Sequence, residues 1–467
     1  MSALRPGRLP LLRAAAIAAC LAWPAAAAAL QIGLSFTGSR FGVESTSFPP
    51  DTMGAVGPDH VVEILNGRYS VYRKSDGVRV QTSTLNQFWT GAGQAPTGSS
   101  FDPRVLYDAA SQRWFAVSVD NARAANNFLV AVSSSADPTQ AWSAFKIDSD
   151  ATNTNWADFP TLGVTADAVV VAATMFTLGS SSLPAASDVL VLPKADLVAA
   201  TPGIAQHTLF QNANVGFQAQ PVVDLDGGGL PTTLLSASIT PLGLLLANTL
   251  SGPVTAPTLG PLQNIAFPGL PVPPPSDQPG PKANLDSGDA RFSGNVVLQG
   301  GNVWGVQSVA AGGRAAIRWL RFEPGTNILL ESGLIGDPNL DFSYPSIAVN
   351  DFGDIVIGMS GSGASQFPSA YAVLGRHAAG STSFEDPILL QAGQSDYQRL
   401  GSDGRNRWGD YSATVLDPAN PLSFWTFQEF VSAPNVWAVQ ITQLFVPEPG
   451  TAALVAVGLV WLARRRA

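Results

Sequence analysis

DFSYPSIAVNDFGDIVIGMS, residues 341–360, holds two apolar runs separated by turn-forming residues. Ile347-Ala348-Val349 follows Pro345, Asn350-Asp351-Phe352-Gly353 interrupts, and a second run begins at Ile355. Two β-rich runs split by Asn, Asp and Gly predict a strand, a tight turn and a return strand. Related segments start at Pro49, Phe101, Ala157, Ala219, Ala290 and Gly409. Their spacing is about 50–70 residues, at or somewhat above that of propeller and solenoid repeats. Each interval has room for two further strands, as at Phe128–Val132 and Trp142–Ile147, or Ala315–Phe322.

Four strands per repeat make a propeller blade, and radial repetition protects sheet edges that would otherwise aggregate. The sequence therefore predicts an all-β chain, a β-propeller with seven four-stranded blades over residues 30–445. The copies at Pro49 and Ala290 are weak, so six or eight blades stay open, as does a tandem of β-sandwiches. Composition agrees: 45 Gly, 36 Pro and 13% charged residues suit short strands and tight turns, and 46% hydrophobic residues can fill a core. Two segments fit no blade. Residues 261–289 contain LPVPPPSDQPGP, expected to be a long surface loop without ladder donors between the fourth and fifth blades. Gly91 to Ser100 is a smaller loop of the same kind.

The two ends read as signals rather than fold. Arg5, Arg8 and Arg13 precede an apolar tract from Ala14 to Ala29, the order of a secretory signal peptide over residues 1–29 with its helix. The only cysteine, Cys20, lies inside it, so the exported body uses neither disulfides nor cysteine ligands. At the other end, Pro447-Glu448-Pro449 leads into a short apolar stretch at 451–463 and then Arg464, Arg465 and Arg466. That stretch is short against the ~20 residues of a stable membrane helix, and the arginines should stay cytoplasmic.

This order over residues 446–467 resembles the PEP-CTERM sorting signal of Gram-negative bacteria. The resemblance implies a short C-terminal transmembrane helix held transiently in the inner membrane. It further implies an exosortase-type enzyme as partner, and delivery to the cell surface or the exopolysaccharide matrix. Setting both ends aside leaves 19 basic and 33 acidic residues, a net charge of −14. Such a body repels polyanions, and a nucleic-acid partner is excluded.

Five acids precede the first strand of their repeat: Asp51, Asp102, Asp158, Asp289 and Asp410. In a propeller this position lies near the central axis. Each Asp capping its own turn is the plainer expectation. The alternative is convergence in a central funnel, with Arg104, Tyr344, Arg407 and Tyr411 as further ligand-binding candidates. Arg and Tyr beside acids would suit a sialidase-like glycosidase, but the Ser-x-Asp-x-Gly-x-Thr-Trp box is absent and Glu is scarce. Asp224-Leu225-Asp226-Gly227 begins like a calcium loop but lacks its third carboxylate and closing Glu, and is read as a glycine-rich turn. His60, His207 and His377 have no metal-ligand spacing. No catalytic residue, metal or cofactor is therefore assigned. The expectation is a non-enzymatic surface or matrix propeller that binds extracellular polysaccharide, with a secreted polysaccharide hydrolase or lyase as the alternative.

Overall fold

The computed structural model describes residues 30–180, 184–238 and 243–447. In it, Asp341–Val349 and Asp354–Gly363 pair antiparallel, with Ile347 opposite Ile357. Asn350 shapes the turn: its Oδ1 accepts from the N–H groups of Phe352 (3.0 Å) and Asp354 (2.9 Å). Gly353 supplies the positive φ of 79° that a side chain would oppose.

The other six segments fold the same way, and the result is a seven-bladed β-propeller. The innermost strands are Met53–Val56, Ser100–Asp108, Asn155–Val164, Gln220–Pro221, Val297–Gln299, Asp341–Val349 and Ala413–Leu416. Blade 4 passes to blade 5 through Val223–Asp224, which pairs parallel with Val297–Gln299. Blades 4 and 6 break their outermost strand into two pieces.

Each middle strand is buried on both faces, which is why the sequence shows apolar runs where a half-exposed strand would alternate. Ala168–Thr177 makes the point. Val169, Val171, Ala173 and Met175 pack toward blade 2, while Ala168, Val170 and Ala172 pack toward blade 4. The core is thus a set of seams between neighbouring blades rather than one central mass. Trp114, Trp304, Trp425 and Trp437 are buried in these seams, as expected of strand aromatics.

Blade 7 closes the ring. Its three inner strands come from the end of the body, and its outermost strand, Gln31–Arg40, comes from the beginning and pairs with Val436–Phe445. A buried carboxylate clasps this strand to blade 1. Glu63 accepts from the Ser39 N–H (2.9 Å), the Ser39 hydroxyl (2.6 Å) and the Tyr72 hydroxyl (2.8 Å). The approach is so close that a Cβ on Gly38 would meet Glu63 Oε1 at 2.5 Å. Leu30 and Val446, first and last in the body, share one apolar cluster with Phe424 and Leu444. They lie where the innermost strand of blade 7 finishes, at Leu416, at the opposite end of the blade from Asp410 and Tyr411.

The proline-rich segment departs from expectation. Its prolines leave 262–267 free, and Gln263–Ala266 pairs with Leu244–Ala247 as part of blade 4. Its second half is buried against residues 397–407. Gln278 donates to the Tyr397 carbonyl and accepts from the Tyr397 N–H, each at 2.8 Å, and Leu285 bridges to Ser276 and Asn406. The expected signal helix and the C-terminal span at 451–463, with Glu448, Pro449 and Arg464 to Arg466, lie outside the described residues. Among the described residues, no helix is long and apolar enough to cross a membrane.

Glu63→Ala leaves the Tyr72 hydroxyl and the Ser39 N–H and hydroxyl without an acceptor. Urea unfolding should show a loss on the order of 3 kcal/mol. A loss below about 0.5 kcal/mol, the size of an ordinary surface substitution, would show that the clasp does not hold the ring closed.

Candidate functional site

Five innermost strands open with a residue other than glycine in the left-handed region: Asp51, Asp102, Phe159, Gln218 and Tyr344, with φ of 51–52°. In blades 2, 3 and 6 the ladder register shifts at this residue, so each strand begins with a bulge. Backbone strain of this kind gathers at functional sites. It has a structural consequence here: the carbonyl after the bulge is free to accept from the preceding blade. Arg104 Nε donates to the Pro160 carbonyl (3.0 Å) and the Thr161 hydroxyl to that of Ala219 (2.7 Å). Gln220 Nε2 donates to that of Phe292 (2.8 Å), and the Ser293 hydroxyl to that of Pro345 (3.2 Å). Four blade junctions are tied by one repeated contact around the axis.

Arg104 is fully buried on that axis. Beyond Pro160 it donates to the Ser293 carbonyl (3.1 Å), and its guanidinium stacks on Tyr411 at 3.7 Å from the ring centroid. Among the described residues its Nη2 has no hydrogen-bond partner. Burial pulls its pKa down, and the charges of Tyr411, Asp102, Asp51 and Asp410 oppose that.

All five sequence-selected acids, Asp51, Asp102, Asp158, Asp289 and Asp410, line one cavity of about 560 Å³ together with Arg407. Tyr344 joins Asp289 and Asp410 around a small adjoining recess. Arg104 and Tyr411, expected as ligand-binding residues, are instead buried outside the cavity lining and serve the axis. The lining also contains Arg405, which stands with Arg407 beside the acids in the sequence, and Gln218, Arg291 and Arg123, which the repeat pattern did not select.

Local capping explains only part of the cluster. Asp158 accepts from the adjacent Phe159 N–H (3.0 Å), and Asp289 from the Arg291 N–H (3.0 Å) and Nε (2.6 Å). Asp51 instead accepts from Asn66 Nδ2 (2.6 Å), whose Oδ1 holds the Asp102 N–H (2.8 Å). Asp102 accepts from the Phe159 N–H across the blade junction (3.2 Å). Arg407 Nη2 donates to Asp410 (2.6 Å). Among the described residues, two buried oxygens in the lining accept from no group outside the carboxyl cluster: Asp51 Oδ1 and Gln218 Oε1.

The carboxyl of Asp102 lies within hydrogen-bonding reach of those of Asp51 and Asp158. Two unit charges 4 Å apart at a protein surface interact by about 4 kcal/mol, so three touching carboxylates do not all stay ionised. Burial first, then the charges of Asp410 and Asp102, holds Asp51 well above the usual carboxylate range. Burial followed by the charge of Asp102 does the same to Asp158. Asp102 is raised by burial and Asp410, against hydrogen bonds from its two neighbours. Glu429, buried behind them and bonded to the Thr52 hydroxyl (3.0 Å), is raised well above its ordinary value by burial. Asp289 goes the other way: burial pushes it up, but the charge and hydrogen bonds of Arg291 bring it below the usual range.

The far mouth of the ring holds a second cavity, about 470 Å³, walled by the strand ends Val56, Leu106, Val164 and Leu416. Its charged groups are spoken for: Lys194 pairs with Asp108 (3.0 Å) and Asp417 with Lys74 (2.6 Å). Asp226, from the segment compared with a calcium loop, accepts from the N–H groups of Gly300 and Gly301, each at 2.7 Å, and so staples the blade 4 turn to blade 5.

No protein-family model and no curated protein matches the sequence. Solved structures share the general architecture. One is a functionally unknown protein from Desulfotomaculum acetoxidans, 10% identical with a TM-score of 0.37, covering 77% of this chain and 86% of that one. Another is the WD40 domain of SCAP from fission yeast, 7% identical with a TM-score of 0.33, covering 85% and 84%. A third is Trypanosoma rangeli sialidase, 11% identical with a TM-score of 0.32, covering 92% of this chain but 63% of the sialidase. At these scores they bear on neither activity nor ligand.

The raised carboxyls make stability depend on pH. The folded protein keeps protons on Asp51, Asp158 and Glu429 that the unfolded chain releases above about pH 4. Their contribution is therefore lost as pH rises above the ordinary carboxylate range. Asp289 acts oppositely, losing its contribution as pH falls below the carboxylate range. The melting temperature should be higher at pH 5 than at pH 8, and Asp51→Asn should flatten that slope. A melting temperature climbing steadily to pH 8 would contradict the proton-sharing cluster.

Proposed function

We propose that this chain is an exported, non-enzymatic propeller that binds extracellular polysaccharide in its central funnel. On this reading an exosortase-type enzyme delivers it to the cell surface or matrix through the tail beginning at Pro447. One observation carries the binding reading: five acids from five separate blade entrances share an open cavity with arginines. The same cavity contains two buried oxygens that, among the described residues, accept from no group outside the carboxyl cluster. Its volume is in the range of small-ligand sites. Carboxyls and an amide lining such a space suit the hydroxyl arrays of a sugar chain, to which these groups both donate and accept.

Hydrolysis is the second reading, favoured by the mixed protonation of Asp51, Asp102 and Asp158, which is what acid–base chemistry requires. Their mutual contact argues against it for glycosides. Paired glycosidase carboxyls stand about 5–9.5 Å apart to straddle the bond.

A glycan array probed with residues 30–446 should show binding that Asp51→Asn together with Gln218→Ala reduces at least about tenfold. Release of reducing ends from the bound glycan would move the assignment to hydrolase. Absence of binding to any glycan would end the polysaccharide reading. For delivery, alanines in place of Pro447-Glu448-Pro449 should leave the protein in the membrane fraction of a host carrying an exosortase. Unchanged release into the medium would dismiss the sorting signal.

A further inference from the structure

We infer that the funnel selects an acidic saccharide, whose carboxylate is held at the rim by Arg123 with Arg405 and Arg407, while its hydroxyls reach Asp51 and Gln218. This deepens the polysaccharide reading and rests on it. The observation behind it is a charge inversion. The body carries −14 overall. Yet beside the acid-lined cavity lies a second space of about 650 Å³, whose charged lining is three arginines, Arg123, Arg405 and Arg407, against one carboxylate, Asp403. The three arginines line both spaces, so floor and rim form one continuous funnel.

The arginines differ in what they have left to offer. Arg405 gives Nε to Asp403 (2.7 Å) and Nη1 to Asp286 (3.0 Å), which leaves Nη2. Arg407 gives Nη2 to Asp410, and its Nε is buried without a hydrogen-bond acceptor. Arg123 is exposed, and among the described residues no hydrogen bond or ion pair engages its guanidinium. Its backbone is nevertheless fixed. It sits in the left-handed region (φ 65°), its carbonyl accepts from the Gly179 N–H (2.8 Å), and Asn121 Nδ2 closes the turn onto the Ala125 carbonyl (2.7 Å).

A strained backbone that presents an unpaired guanidinium to a cavity fits a planar anion, which Arg binds through two parallel hydrogen bonds. Below it, the Asp51 carboxyl and the Gln218 amide of the cavity lining are the groups left to meet hydroxyls. A neutral sugar would satisfy the floor and leave the rim empty. A simple carboxylate would do the reverse. Phe48, 42% exposed on the same wall, offers an apolar face to a ring's C–H groups.

The test is calorimetry of residues 30–446, the compact unit that contains every blade, against three probes. These are an oligogalacturonate, the corresponding neutral oligogalactose and a sulfated oligogalactose. The oligogalacturonate should bind at least about tenfold tighter than the neutral chain, and rising salt should narrow that gap. Arg123→Ala should abolish the preference without moving the melting temperature, and Arg123→Lys should restore part of it. Equal binding of acidic and neutral chains would overturn this inference while leaving the polysaccharide reading standing. Tighter binding of the sulfated chain would overturn the carboxylate assignment. Binding of none would overturn both.

Discussion

Everything at the axis depends on carbonyls that the sheets do not use. A regular strand would spend the oxygens of Pro160, Ala219, Phe292 and Pro345 on its own ladder, and adjacent blades would meet only through apolar side chains. At Pro160, Ala219 and Pro345 the left-handed residue just before, Phe159, Gln218 or Tyr344, releases that oxygen. A donor one place further along the previous blade then takes it up: Arg104, Thr161, Gln220 or Ser293. Apolar seams are non-directional and tolerate sliding. A hydrogen bond of fixed length between neighbours does not. The belt therefore sets the register in which blades 2 to 6 meet, and the same kink carries Asp51, Asp102 and Gln218 to the funnel.

Arg104 brings a cost that the acids answer. A guanidinium stays charged even where burial opposes it, and this one sits on the axis with one amino group that has no hydrogen-bond partner among the described residues. Asp102 and Asp410 supply the opposing charge from two blades. More carboxyls are gathered than the arginine requires, and the excess is carried as bound protons. Structural charge balance and an open polar cavity are in this way two aspects of one cluster.

Much of this was legible beforehand. The seven segments correspond one to one with seven blades, including the weak copies at Pro49 and Ala290. The weakness of the copy at Ala290 has a counterpart: blade 5 takes up an extra parallel strand from its neighbour. The five acids were found because their type repeats at one position of the pattern. Gln218 and Arg291 were missed because they hold that neighbourhood with different chemistry. Arg123 lies in the turn between the second and third strands of blade 2, beyond the stretch that the repeat pattern compared. The recurrence of Pro103, Pro160 and Pro345 after a residue forced into the left-handed region was the available sign of the bulges. It read as strand-opening proline, since the residue before proline ordinarily avoids helical φ and ψ. The proline-rich segment misled for a related reason. Proline removes ladder donors only where it stands, and six residues between prolines were enough to complete blade 4.

Leu30 and Val446 meet at the corner of blade 7 farthest from Asp410. The two extremities of the described body thus sit together, on the side away from the mouth of the acid-lined cavity. Because the two extremities leave side by side, while hydrogen bonds and not a peptide link complete the circle, severing a flanking segment would not unlatch the body.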